Sequence, residues 1–128
     1  MMAAYLSRVV LMVRPGDGLA KALDFYTSGL GLQVARMTDN WADLRTNQPS
    51  HQQLSISLQV VTSESQVTTG YSPILQFHVQ DMNECIAKCI QLGGTLDGPI
   101  QYPAHGKMAA LRSPDGHMIG LYEPASTG

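Results

Sequence analysis

Hydrophobic and polar positions alternate with two different periods along this chain. Residues 8–13, Arg-Val-Val-Leu-Met-Val, form an apolar, β-branched run that suits a strand. Arg14-Pro15-Gly16-Asp17-Gly18 is turn material. From Leu19 to Gly29 the period lengthens. Leu19, Ala22, Leu23 and Tyr26 fall at i, i+3, i+4 and i+7, with Phe25 beside them, which predicts an amphipathic helix closed by Gly29 and Gly31. Residues 32–37, 41–46 and 54–61 read as three strands. The third is the clearest, because Leu54, Ile56, Leu58 and Val60 alternate with Ser55, Ser57 and Gln59.

After a polar, turn-like stretch over 62–72 the order restarts. Residues 74–79 read as a strand, and Asp81 is an N-cap with Glu84 three residues on. Residues 82–92 predict a helix with Met82, Cys85, Ile86 and Cys89 inward, closed by Gly93-Gly94. Residues 99–102, 107–112 and 117–122 are candidate strands, the last two joined by a tight Ser113-Pro114-Asp115-Gly116 turn. The chain thus reads strand, helix, three strands, twice. Val13 matches Val79, Leu30-Gly31 matches Leu92-Gly93, and Ser57 matches Gly120. Such a repeat predicts two copies of one supersecondary unit packed in one domain over 1–128, with modules at about 6–62 and 72–124.

Composition narrows the function. A chain of 128 residues is one domain and can hold a core without disulfide or metal staples. Its 44% hydrophobic and 14% charged residues exclude a disordered tail. Eight Lys+Arg against ten Asp+Glu give net charge −2 with no basic run, which argues against nucleic acid and anionic membranes as partners. No apolar run approaches the ~20 residues of a membrane span. The start, Met1 to Val13, lacks the basic region and cleavage site of a signal peptide. Cys85 and Cys89, four apart in a helix, read as core thiols, and the chain reads as cytoplasmic.

Asp24-Phe25-Tyr26 followed by Leu30-Gly31-Leu32, then Phe77-His78-Val79-Gln80-Asp81-Met82, Leu92-Gly93-Gly94, and the closing Ser113-Pro114-Asp115-Gly116-His117-Met118-Ile119-Gly120-Leu121-Tyr122-Glu123-Pro124 carry a resemblance. In this order and spacing the chain resembles the glyoxalase/bleomycin-resistance/extradiol-dioxygenase superfamily, the vicinal oxygen chelate proteins, over about residues 6–124. The resemblance implies an α+β fold of two βαβββ modules whose mixed sheet curls into a cup, with helices outside, and often a homodimer. It also implies one divalent metal held by His, Glu or Gln from the first and last strands of each module. Those positions fall here on Arg8, Ser57, Ile74 and Gly120. An arginine does not lose its proton to bind a cation, and Ile and Gly offer no donor side chain. No cofactor and no metal site are therefore expected, and metal-dependent lyase or dioxygenase chemistry is not favoured.

Strand alternation predicts what lines the cup. With Val9, Leu11 and Val13 toward the helices, Arg8, Val10 and Met12 face inward, joined by Trp41, Asp43 and Arg45 and by Ser55, Ser57 and Gln59. The second half contributes Ile74, Gln76 and His78, then Met108, Ala110 and Arg112, then Met118, Gly120 and Tyr122. Apolar walls with few polar groups suit a small-molecule pocket. The candidate ligand-binding residues are Arg8, Met12, Trp41, Asp43, Gln59, Gln76, His78, Arg112 and Tyr122. Trp41 is a ligand platform or a packing residue. Arg8 or Arg112 would pair with a carboxylate or phosphate. Asp43 either orients His78 or forms an ion pair with Arg45 or Arg8, and His78 is either a general base or a wall residue. His78, Asp43 and Gln59 are also a conceivable metal set outside the family positions. His51, His105 and His117 read as solvated, and the 101–106 loop as a lid at the cup mouth.

Three functions remain. One is a metal-free cup that binds a small organic molecule, neutral or anionic and partly aromatic. Another is an enzyme of the same superfamily: a metal-dependent lyase or dioxygenase, or a metal-free isomerase or hydrolase using His78 with Asp43 or Tyr122. The third is a structural subunit whose cup is filled by its own side chains.

Overall fold

The computed structural model describes residues 8–46, 54–62, 67 and 73–125. His51 lies outside them. The first module runs β1 (Arg8–Val13), α1 (Gly18–Asp24), β2 (Gln33–Met37), β3 (Trp41–Arg45) and β4 (Ser55–Val60). The second runs β5 (Ile74–His78), α2 (Met82–Gln91), β6 (Thr95–Leu96), β7 (Gly106–Arg112) and β8 (Met118–Pro124). The first sheet has the order β1-β4-β3-β2 and the second β5-β8-β7-β6, so the two repeats share one topology. In each, the first strand pairs parallel with the last, and the last pairs antiparallel with its predecessor. Among the described residues no hydrogen-bonded pairing joins one sheet to the other.

Two elements differ from the sequence pattern. The first helix is α-helical only through Asp24; Phe25–Gly29 winds into a π-helical turn. Both aromatic neighbours in that turn are buried, Phe25 (0% exposed) and Tyr26 (1%), edge to face at 5.1 Å. The strand expected at 99–102 sits instead at Thr95–Leu96, with Gln101 contributing an isolated bridge to Met108. Gly98 and Pro99 separate the two pairings, and proline cannot donate to a sheet ladder. The second helix matches its pattern: Met82, Ile86 and Cys89 are buried, and Asp81 Oδ1 accepts from the Glu84 N–H at 3.1 Å.

One core unites the modules. α1 packs on β1 and β4, α2 packs on β6 and β8, and the π-helical turn touches α2. Leu11, Val13, Leu44, Ile56 and Leu58 from the first sheet share a buried cluster with Leu111, Ile119 and Leu121 from the second. Hydrogen bonds tie the elements together at the edges of that core. The Arg14 N–H donates to Asp115 Oδ1 at 3.1 Å and His117 Nε2 donates to the Met12 carbonyl at 2.8 Å, while within the second module the Met82 N–H donates to Glu123 Oε1 at 2.7 Å. His117 is therefore not solvated, contrary to the sequence reading; it joins the β7–β8 turn to β1.

Candidate functional site

Register fixes which side chains share the first front. Arg8, Ser55, Arg45 and Gln33 form one row across β1, β4, β3 and β2. Val10, Ser57, Asp43 and Arg36 form the next, and Met12, Gln59 and Trp41 the third. The middle row is a buried polar network. Asp43 is 9% exposed and Ser57 5%. Ser57 Oγ donates to Asp43 Oδ1 at 2.6 Å, the short distance of a hydroxyl on a carboxylate. Arg36 Nη2 lies 3.5 Å from Asp43 Oδ2. Arg8 Nη1 lies 3.5 Å from Ser57 Oγ and 3.9 Å from Asp43 Oδ1.

Of the two roles weighed for Asp43, its contacts are those of the ion pair. Arg8 is one partner; the other is Arg36 rather than Arg45. Arg36 was not legible because β2 carries a bulge. The register steps from Val34↔Leu44 to Arg36↔Asp43, skipping Ala35, and this turns Arg36 onto the front. Gln59 is engaged by backbone, its Nε2 donating to the carbonyls of Val60 (3.2 Å) and Asn40 (3.4 Å). Met12 and Trp41 are half-buried at the end of this face.

The second front has the same rows with different contents. Ile74, Met118 and Arg112 form one, Gln76, Gly120 and Ala110 the next, and His78, Tyr122 and Met108 the third. Where the first module places Ser57 and Asp43, the second places Gly120 and Ala110. The missing side chains leave a groove of about 240 Å³ lined by Ile74, Gln76, Asp97, Gln101, Met108 and Gly120. Asp97 and Gln101 were missed because the sixth strand was placed too late in the chain. Arg112 braces the β7–β8 turn: its Nη1 donates to the Gly116 carbonyl at 2.7 Å, and its Nε lies 3.7 Å from Asp97 Oδ2.

His78 is exposed and packs edge-on against Tyr122, with ring centroids 5.8 Å apart. Tyr122 also meets His105 at 5.7 Å, and its hydroxyl donates to the His105 carbonyl at 3.0 Å. The Asp43 carboxylate is bound to Ser57, Arg36 and Arg8, so it does not orient His78.

The four positions that the family resemblance marks for metal ligands can be tested directly. They meet in pairs, one pair per front: Arg8 with Ser57 at 3.5 Å, and Ile74 with Gly120, whose Cβ, were there one, would lie 3.3 Å from Ile74 Cγ2. The first pair contributes a permanent cation and a hydroxyl already donating to Asp43. The second contributes no heteroatom. These residues do not fit a divalent metal. Among the described residues no group of three His, Cys, Asp or Glu side chains is placed to hold one elsewhere.

The model of the Glyoxalase/Bleomycin resistance protein/Dioxygenase superfamily matches residues 8–121. The chain belongs to that superfamily. Solved structures agree on the fold. A glyoxalase-related enzyme from Fulvimarina pelagi is 17% identical, with TM-score 0.75, covering 98% of this chain and 94% of that one. A glyoxalase/bleomycin resistance protein/dioxygenase family enzyme from Burkholderia phytofirmans PsJN is 18% identical, with TM-score 0.76 and coverages of 95% and 100%. An antibiotic binding protein from a Streptomyces species is 23% identical, with TM-score 0.64 and coverages of 98% and 99%. No curated protein matches the chain. Solved structures of this fold thus include proteins named as enzymes and one named as a binder, and the choice between them rests on the side chains of the two fronts.

Proposed function

We propose that this superfamily member is a metal-free binding protein that holds a small organic molecule against its sheet fronts. The observation that carries the reading is the replacement of ligand-type side chains by Arg8–Ser57 on one front and Ile74–Gly120 on the other. The second replacement opens the groove over Gly120 and Ala110, with apolar walls from Ile74 and Met108 and amides from Gln76 and Gln101. That mixture suits a small organic ligand, and the antibiotic binding protein among the structural relatives offers a precedent on this fold. A filled, purely structural cup is disfavoured by the groove. Acid–base catalysis at His78 is disfavoured because no carboxylate among the described residues orients its ring.

We further propose that the cup is completed by a second copy of the chain. Val10 on the first front and Ile74 on the second are 44% and 53% exposed. β1 and β5 each occupy one edge of their sheets. Covering such apolar, edge-bearing faces with a partner removes them from water. No helix is long and apolar enough to cross a membrane, and the two free thiols suit a reducing cytoplasm.

Calorimetry on stripped protein with Zn²⁺, Ni²⁺, Fe²⁺ and Mn²⁺ tests the first part. No stoichiometric binding is expected, while a screen of small aromatic metabolites raises Tm. One metal per chain at submicromolar affinity would overturn the metal-free reading. Sedimentation equilibrium tests the second part, with twice the chain mass expected and a monomer at 100 μM the refuting outcome.

A further inference from the structure

We propose that the first front is an anion-recognition surface: Arg8, Arg36 and Arg45 take the carboxylate or phosphate of the bound molecule. The inference rests on the reading above that the fronts bind a small organic ligand, and it names the chemistry of that ligand.

A charge census of this face carries the argument. Across its three rows stand three arginines and a single carboxylate, Asp43. Asp43 is spent: Ser57 and Arg8 face its Oδ1, and Arg36 faces its Oδ2. One carboxylate against three guanidiniums leaves a local excess of two positive charges, on a chain whose net charge is −2. Such an excess is maintained against mutual repulsion and draws a counter-anion.

The arginines are also held in a usable form. Arg8 reaches the network through Nη1 alone and Arg36 through Nη2 alone. Each guanidinium carries five N–H donors, so most of each fork stays free to point outward. Their side chains are 57% and 77% exposed, so a ligand reaches them from solvent. Arg45 has no ionic partner among the described residues. Arg8 and Arg45 flank Ser55 in one row, two strand spacings or about 10 Å apart. That gap is spanned by two arginine side chains converging on one group. The small residues Ser55 and Ser57 leave room between them.

Asp43 therefore acts as a positioning residue: it fixes two arginine forks before the ligand arrives. Such preorganisation lowers the ordering cost of binding. One row away stand Met12 and Trp41, the flat and polarisable surfaces that would hold the apolar body of the same molecule. Bidentate capture of an oxyanion by arginine distinguishes it sharply from a neutral isostere.

The test uses three matched probes on the full chain: benzoate, phenyl phosphate and benzamide, titrated by calorimetry and by the fluorescence of Trp41, the only tryptophan. At low salt at least one anion is expected to bind ten-fold or more tightly than benzamide, and which one leads separates carboxylate from phosphate. The preference should shrink at 0.5 M NaCl. Arg36→Gln and Arg45→Gln should each reduce it several-fold, and Lys88→Gln on the far helix should leave it intact. Equal binding of anions and benzamide overturns the anion assignment while the small-molecule reading stands. Failure of all three to bind at millimolar concentration overturns both. Circular dichroism of the arginine variants verifies that they fold.

Discussion

Removing the Ser57 hydroxyl tests whether the first front is a built network. Ser57→Ala deletes the donor at 2.6 Å from Asp43 Oδ1 while leaving the backbone pairing of β4 untouched. Both partners are buried, at 5% and 9% exposure. A hydrogen bond to a charged group is worth about 1.5–3 kcal/mol. The remaining cations do not compensate: Arg36 and Arg8 sit at 3.5 and 3.9 Å with largely exposed side chains, and such pairs contribute about 0–1 kcal/mol each. The expected cost is thus about 2 kcal/mol, or roughly 6–10 °C in Tm at this chain length. Asp43→Asn should cost about as much. In the double variant the losses should not add; a coupling of about 1.5 kcal/mol is expected from the four-member cycle. Urea unfolding at pH 7 measures all four proteins. A coupling under about 0.5 kcal/mol would mean that Ser57 and Asp43 do not stabilise one another, and the preorganised arginine forks would lose their anchor.

Other consequences follow from the core. Gly94→Ala should destabilise by roughly 2 kcal/mol or more, because its Cβ would lie 2.7 Å from Phe25 Cε1 and 2.9 Å from the Cys89 carbonyl; Gly29→Ala, which meets Cys89 Sγ at 3.3 Å, should cost less, and reversed ranking in urea melts would refute this packing. Burial pushes the Tyr26 phenol up from its ordinary value near 10, and its hydroxyl has no hydrogen-bond partner among the described residues. The folded chain thus holds that proton more tightly than the unfolded one, so Tyr26 stabilises fully below pH 10 and loses this contribution as pH rises beyond it. Tyr26→Phe should flatten the alkaline limb of a stability–pH curve, and an unchanged slope would count against the burial of that hydroxyl. A hydrogen bond from Cys89 holds the Cys85 thiol below its usual range, while the same contact and burial push Cys89 up. Iodoacetamide at pH 8 should therefore label Cys85 first, and Cys89→Ala should slow that labelling; preferential modification of Cys89 would contradict it.

The fold was legible because hydrophobic period and glycine punctuation repeat. The β4 pattern Leu54-Ile56-Leu58-Val60 and the second helix with its Asp81 cap needed no tertiary information. Register alternation also assigned Arg8, Asp43 and Ser57 to one face. What could not be read is what depends on local departures from regularity. The bulge at Ala35 puts Arg36 opposite Asp43, and alternation alone misses such a shift. The π-helical turn at Phe25–Gly29 changes how the helix ends without changing which residues are buried. A strand of two residues at Thr95–Leu96 is too short to carry a period, which hid Asp97 beside the second groove. His117 looked solvated because its partner, the Met12 carbonyl, is 105 positions away in sequence.

The two repeats share a backbone and differ in chemistry at equivalent points. Ser57 and Gly120 occupy the same place in their modules, as do Asp43 and Ala110. On the first front these places hold a carboxylate, a hydroxyl and the arginines they position. On the second they hold nothing beyond a methyl group, and a groove takes the space. A polar anchor on one face and an apolar recess on the other would complement each other as halves of one amphipathic ligand site, if the proposed binding function holds. Residues from the backs of both sheets share one buried cluster. On the proposal that a second copy completes the cup, the first front of one chain would face the second front of the other. The anion preference and the dimer are then linked. A variant that stays monomeric should keep the charge preference of its arginines and the contacts of Met12 and Trp41, yet lose the part of the affinity that the second front's groove contributes, as calorimetry against the dimer would show.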